Sequence, residues 1–116
     1  MIPMLVAFTF HAKPGKEKEF EALLNAPDGA RHVARLMGAT RNTLFLGEGR
    51  MVRVLEFPEG VKPVPLTEIA AKDAAIREFL RKLGPLVENG FDADRPETLE
   101  AFNRRVLVPL AFDVRP

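Results

Sequence analysis

Cysteine, serine, tryptophan and tyrosine are all missing from this sequence, and each absence closes a chemistry. Without cysteine there is no disulfide, no thiolate nucleophile and no Cys-ligated cluster, which fits a reducing compartment. Without serine no Ser-His-Asp arrangement exists. All nine aromatic residues are Phe, so no mechanism can call on a Tyr proton donor or a Trp platform. The two histidines, His11 and His32, share no ligand spacing and have no carboxylate triad beside them, so the sequence predicts no metal site. An excess of charge of one sign is also lacking. The 17 basic and 16 acidic residues leave a formal net charge of +1, which argues against nucleic-acid or acidic-membrane partners. The apolar start MIPMLVAFTF lacks a basic n-region and a small-residue cleavage site, and is too short to span a bilayer. The expectation is a soluble, cytoplasmic protein.

What is present is enough for a core. Hydrophobic residues make up 47 % of 116 positions, which predicts one folded domain over 1–116. Met4 to Phe10 reads as a strand that Pro14-Gly15 ends, and Phe20, Leu23 and Leu24 recur at helical spacing after it. Asn25 to Gly29 breaks that helix. Asp28 is placed to cap a second short one with Val33, Leu36 and Met37 inward and Gly38 as its stop. Residues 41–46 and 51–57 flank "GEGR" as an antiparallel hairpin. The Gly-x-Gly there has no following helix and is no phosphate loop. A proline-rich loop leads to a predicted helix over 66–83, whose Leu66, Ile69, Ile76, Phe79, Leu80 and Leu83 form one apolar stripe. "RPETLEAFNRR" predicts a further helix, and "VLVPLAFD" a last strand whose Pro109 favours an edge or bulge.

That order predicts an α+β fold: a ferredoxin-like sandwich, four antiparallel strands with helices on one face. The other face reads as dry too. Strand one sets Met4, Val6, Phe8 and Phe10 against Leu5 and Ala7, and strand three sets Met51, Leu55 and Phe57 against Val52 and Val54. The simplest cover for a second apolar face is another copy of the chain, so a homodimer packed sheet to sheet is expected.

Arg53 and Glu56 interrupt the apolar strand 51–57 and, by alternation, point to opposite faces. Arg41 and Asn42 on the neighbouring strand are available to pair with them. One of the two can line a cavity beneath the helices; equally, both can serve the hairpin or the dimer. His11 ends strand one and His32 sits between Arg31 and Arg35, whose charges should keep it neutral. Either is a candidate base near neutral pH, and either also reads as an exposed residue on a turn or a helix.

"GATRNTLFLGEGRMVRVLEFPEG", then "IREFLRKLGPLVE" and "RPETLEAFNRR", with "FTFHAKPGKEKEFEALL" ahead of them, resembles the SchA/CurD-like family of aromatic polyketide and spore-pigment pathways, over roughly residues 6–105. "TLFLGEGRMVRVLEF" is more distantly similar to the hairpin of tetracenomycin-type polyketide cyclases, which are dimeric α/β barrels. Those cyclases carry His where Arg53 stands here, and a His after the first helix where this chain has "NAPD". The resemblance implies aromatic polyketide maturation by a cofactor-free cyclase. A weak base enolises a poly-β-ketone, a cation or donor holds the enolate oxygen, and an apolar cavity folds the chain for ring closure. His11, His32 and Arg53 are the candidate catalytic residues, with Arg53 expected in the cavity because the matching cyclase position is polar. Arg41, Asn42, Glu56, Phe8 and Phe79 are the candidate substrate-binding residues. The implied partners are an aromatic polyketide or its precursor, a second copy of the chain, and a polyketide synthase or acyl carrier protein. Two alternatives stand beside this. One is a cofactor-independent monooxygenase that forms quinones, resting on Asn42 and the histidines. The other is a non-catalytic polyketide-binding or synthase-docking protein.

Overall fold

Alternating apolar residues build a four-stranded antiparallel sheet in the computed structural model, which describes residues 4–27 and 29–114. Strand β1 (Met4–His11) pairs with β3 (Arg50–Phe57), and β3 pairs in turn with β2 (Arg41–Gly47). The short β4 (Leu107–Val108) adds to the free side of β1, giving the order β2-β3-β1-β4. Glu48 and Gly49 form the two-residue hairpin turn with φ of 53° and 73°. Both angles are positive, the twist that a tight hairpin requires. Gly49 is also sterically fixed, because a Cβ there would stand 2.7 Å from Glu17 Cγ.

Five helices accompany the sheet among the described residues: α1 (Glu17–Asn25), α2 (Ala30–Met37), α3 (Leu66–Lys72), α4 (Ala74–Leu83) and α5 (Pro96–Val106). Helix α2 stops at Gly38, whose φ of 98° gives the left-handed cap expected there. Asp28, expected to cap α2, lies outside the described residues, and Gly29 holds the cap position. Helix α5 opens on Pro96, where the missing N–H costs nothing.

The structure departs from the sequence expectation in several places, and Leu36, expected to face inward from α2, is exposed while Ala34 is buried. The helix expected over 66–83 is two helices. Asp73 adopts an extended backbone (φ −117°, ψ 110°), and its Oδ1 accepts the Ile76 N–H at 3.1 Å. An aspartate that caps a new helix competes with continuing the old one. The final strand is also much shorter than 106–113. Pro109 offers no N–H to the ladder, and 109–114 continue without regular structure.

The core lies between the sheet and the helices. Met51, Leu55 and Phe57 point into it from β3, meeting Phe20 and Leu24 of α1, Ala34 of α2, and Phe102 of α5. Fully burying a side chain of this size stabilises by roughly 1.5–3 kcal/mol. On the opposite face Leu5, Ala7, Val52 and Val54 are half-buried and Phe45 is 61 % exposed. This is an α+β fold compatible with a ferredoxin-like sandwich. No helix among the described residues is long and apolar enough to cross a membrane.

Candidate functional site

The helices do not close fully on the inner face of the sheet. A cavity of about 410 Å³ remains. Phe8, Phe10, Met51 and Leu55 form its floor, and Phe79 and Leu80 of α4 stand over them. The proline-rich loop brings Pro63 and Val64 to its edge, and α5 brings Leu99, Glu100, Phe102 and Asn103. The volume suits a small organic ligand, and the lining is mostly apolar with a few polar groups, as in ordinary ligand pockets.

Arg53 is the one cation among the lining residues. Strand register sets it between Leu44 of β2 and Phe8 of β1, facing the helices. Its Nε donates to Asn42 Oδ1 at 2.9 Å, and its Nη2 donates to the carbonyl of Ala30 at the start of α2. Asn42 Nδ2 reaches the same carbonyl at 3.3 Å. These bonds fix the plane of the guanidinium but use only part of its five donors. Among the described residues no carboxylate lies within ion-pair distance of Arg53. Burial pushes its pKa down to about 10, so it stays charged at neutral pH. A cation in apolar surroundings with donors to spare is a receptor for an oxyanion.

Phe79 lines the cavity beside it, and its ring packs against Gly29, where any side chain would overlap it. Asn42 does not line the cavity; it acts through Arg53 by holding the guanidinium.

The remaining sequence candidates lie elsewhere. His11 is exposed and falls out of phase with Phe10, on the outer side of the sheet, opposite Arg50. Glu56 and Arg41 are register partners on that same outer side. His32 sits in a groove outside α2 and α4, with Phe79 lining both that groove and the cavity. Its Nδ1 is 3.1 Å from Arg35 Nη2 and its Nε2 is 3.5 Å from Asp73 Oδ2. An arginine only donates, so Nδ1 accepts and Nε2 carries the proton towards Asp73. Neither histidine reaches the cavity. The strand period places His11 outside, and half-buried His32 turns towards Asp73 while buried Val33 packs in the core.

Sequence reading missed Glu100 and Asn103, which sit one turn apart on α5 and both line the cavity. The signal for them was weak: a Glu beside buried Leu99 in a charged helix looks like any solvated position. Among the described residues no group of three or more His, Asp or Glu side chains is placed to hold a metal ion.

Comparisons with protein-family models, with curated proteins and with solved structures gave no match to this chain.

Proposed function

We propose that the protein binds an aromatic polyketide or its poly-β-ketone precursor in the cavity and promotes its ring closure without a cofactor. The observation that carries this reading is Arg53: a desolvated guanidinium with free donors and no carboxylate partner among the described residues, set in an apolar cavity of about 410 Å³. A folded poly-β-ketone is largely apolar, and on enolisation it develops one negative oxygen. Donors positioned before the reaction stabilise that charge at little reorganisation cost. The likeness of the hairpin and helices to the SchA/CurD-like proteins supports the same reading, as does the likeness to the tetracenomycin-type cyclases.

The working unit in this reading is a cytoplasmic homodimer, a dimeric α/β barrel in which a second copy covers the outer sheet face. Half-buried Val52 and Val54 and the 61 % exposed Phe45 on that face support it. An acyl carrier protein or a polyketide synthase is the source of the substrate.

One observation favours a second reading, a binding protein that holds the polyketide without turning it over: both histidines lie outside the cavity. The oxygenase reading has no such support, since neither Asn42 nor either histidine lines the cavity.

Calorimetric titration with flat polyphenols and anthraquinones tests the proposal. Binding of about micromolar strength with a negative heat-capacity change is expected. Absence of binding across the series would remove the reading.

A further inference from the structure

We infer that Glu100 is the base of the cavity, taking a proton from a 1,3-dicarbonyl substrate whose enolate oxygen Arg53 receives. The inference rests on the cyclase reading and supplies what that reading lacks, a group to abstract the proton. His11 and His32 are both elsewhere, and Glu100 is the one carboxylate among the residues that line the cavity.

The two charged linings come from different elements. Arg53 rises from β3 in the sheet, and Glu100 projects from α5. Arg53 and Glu100 border one apolar space, yet these two form no ion pair. Asn42 and the Ala30 carbonyl hold Arg53 between β2 and the first turn of α2. Glu100 also forms no ion pair with Arg104, one turn along its own helix. The space between a fixed cation and a free carboxylate polarises whatever lies in it. A methylene flanked by two carbonyls is suited to that field, because its proton leaves towards the carboxylate as charge moves to the oxygen.

The step balances within the substrate. Glu100 takes the methylene proton, and the C–H electron pair becomes the enolate, whose oxygen accepts N–H bonds from Arg53. The enolate carbon adds to a ketone carbonyl further along the chain, forming the new C–C bond. The proton on Glu100 passes to the resulting alkoxide. A second α-proton then goes to Glu100 and leaves with the hydroxyl as water, so no oxidant or reductant is consumed. Glu100 is exposed, so solvent reaches its carboxylate between turnovers.

The test uses an aryl β-keto ester as probe, with two readouts: affinity by calorimetry, and deuterium uptake at the methylene by NMR in deuterated buffer. The wild type should bind the ester and accelerate uptake. Glu100→Gln should lower the accelerated rate at least about 100-fold while changing affinity less than about threefold, and Glu100→Asp should recover part of it. Wild-type exchange in Glu100→Gln overturns the base assignment and leaves the binding reading intact. A parallel loss of affinity and exchange makes Glu100 a binding residue and overturns it too. Binding without accelerated exchange in the wild type also rejects the assignment, in favour of a holding protein. If the wild type binds no ester and no polyphenol, the functional reading itself fails and the assignment goes with it.

Discussion

Arg53 Nε donates to Asn42 Oδ1 at 2.9 Å, and both side chains converge on the carbonyl of Ala30. The pair links the sheet to the first turn of α2 and sets the guanidinium at the cavity wall with donors unspent. A structural arginine would normally meet a carboxylate. This one meets two neutral acceptors, so no counter-charge offsets the burial that depresses its pKa.

Arg53 is therefore expected to cost stability. Its folded pKa of about 10 lies below the value it has in the unfolded chain. Below pH 10 both states are charged and the folded state carries the full desolvation penalty. Between the two values the unfolded chain binds more protons, so stability rises with pH and the penalty is relieved. Arg53→Met should gain roughly 1–3 kcal/mol at pH 7, measured by urea unfolding, and the gain should shrink as pH climbs above 10. A loss of stability at pH 7 would make Arg53 a structural anchor.

Asp73 divides α3 from α4 and caps the latter. Its carboxyl is held below the usual range, first by the Ile76 N–H and also by His32. With a depressed folded pKa, the contribution is full above the unfolded value and fades as pH falls through the folded one. Asp73→Ala should lower Tm by a few degrees at pH 7, and Asp73→Asn by clearly less. Equal losses would show that the cap is not what the side chain contributes.

Gly29→Ala meets two obstacles at once. The backbone has φ 75° and ψ −105°, and the added methyl overlaps the Phe79 ring. A loss of roughly 2 kcal/mol or more is expected. Combining it with Phe79→Ala should cost less than the sum of the two single losses, read from denaturant midpoints. Full additivity would mean that the ring does not press on this site.

The outer sheet face supplies a prediction about assembly. Val54 lies at its centre, between Ala7 and Thr43 in register. If a second copy covers this face, Val54→Lys should shift the dimer to monomer in sedimentation equilibrium by 100-fold or more in Kd, because each two-fold interface receives the charge twice. A monomeric wild type would contradict the sheet-to-sheet arrangement.

Much of this architecture was legible in the sequence. The Glu-Gly turn between two β-forming runs fixes the hairpin, and alternation along 51–57 separates Arg53 from Glu56. Two features were not legible. Asp73 sits within a stripe whose period continues through it, so only the cap geometry reveals the break. The last strand reads as an apolar run over 106–113, but Pro109 removes a ladder donor just where pairing would extend. At the site, residue type pointed to the two histidines, which lie outside the cavity, whereas the cavity is bordered by Glu100, a glutamate that reads as surface. Which helical positions face a cavity rather than water depends on how far α5 stands from the sheet, and spacing along one helix does not encode that distance.

The most direct test of the central claim, that Arg53 receives an oxyanion, compares 2-hydroxy-1,4-naphthoquinone with its methyl ether by calorimetry, in the wild type and in Arg53→Met. A charge-assisted hydrogen bond is worth roughly 1.5–3 kcal/mol. The wild type should therefore bind the anion at least about tenfold more tightly than the ether, and Arg53→Met should bring the two within about twofold. An Arg53→Met protein that keeps the full preference for the anion would contradict the account.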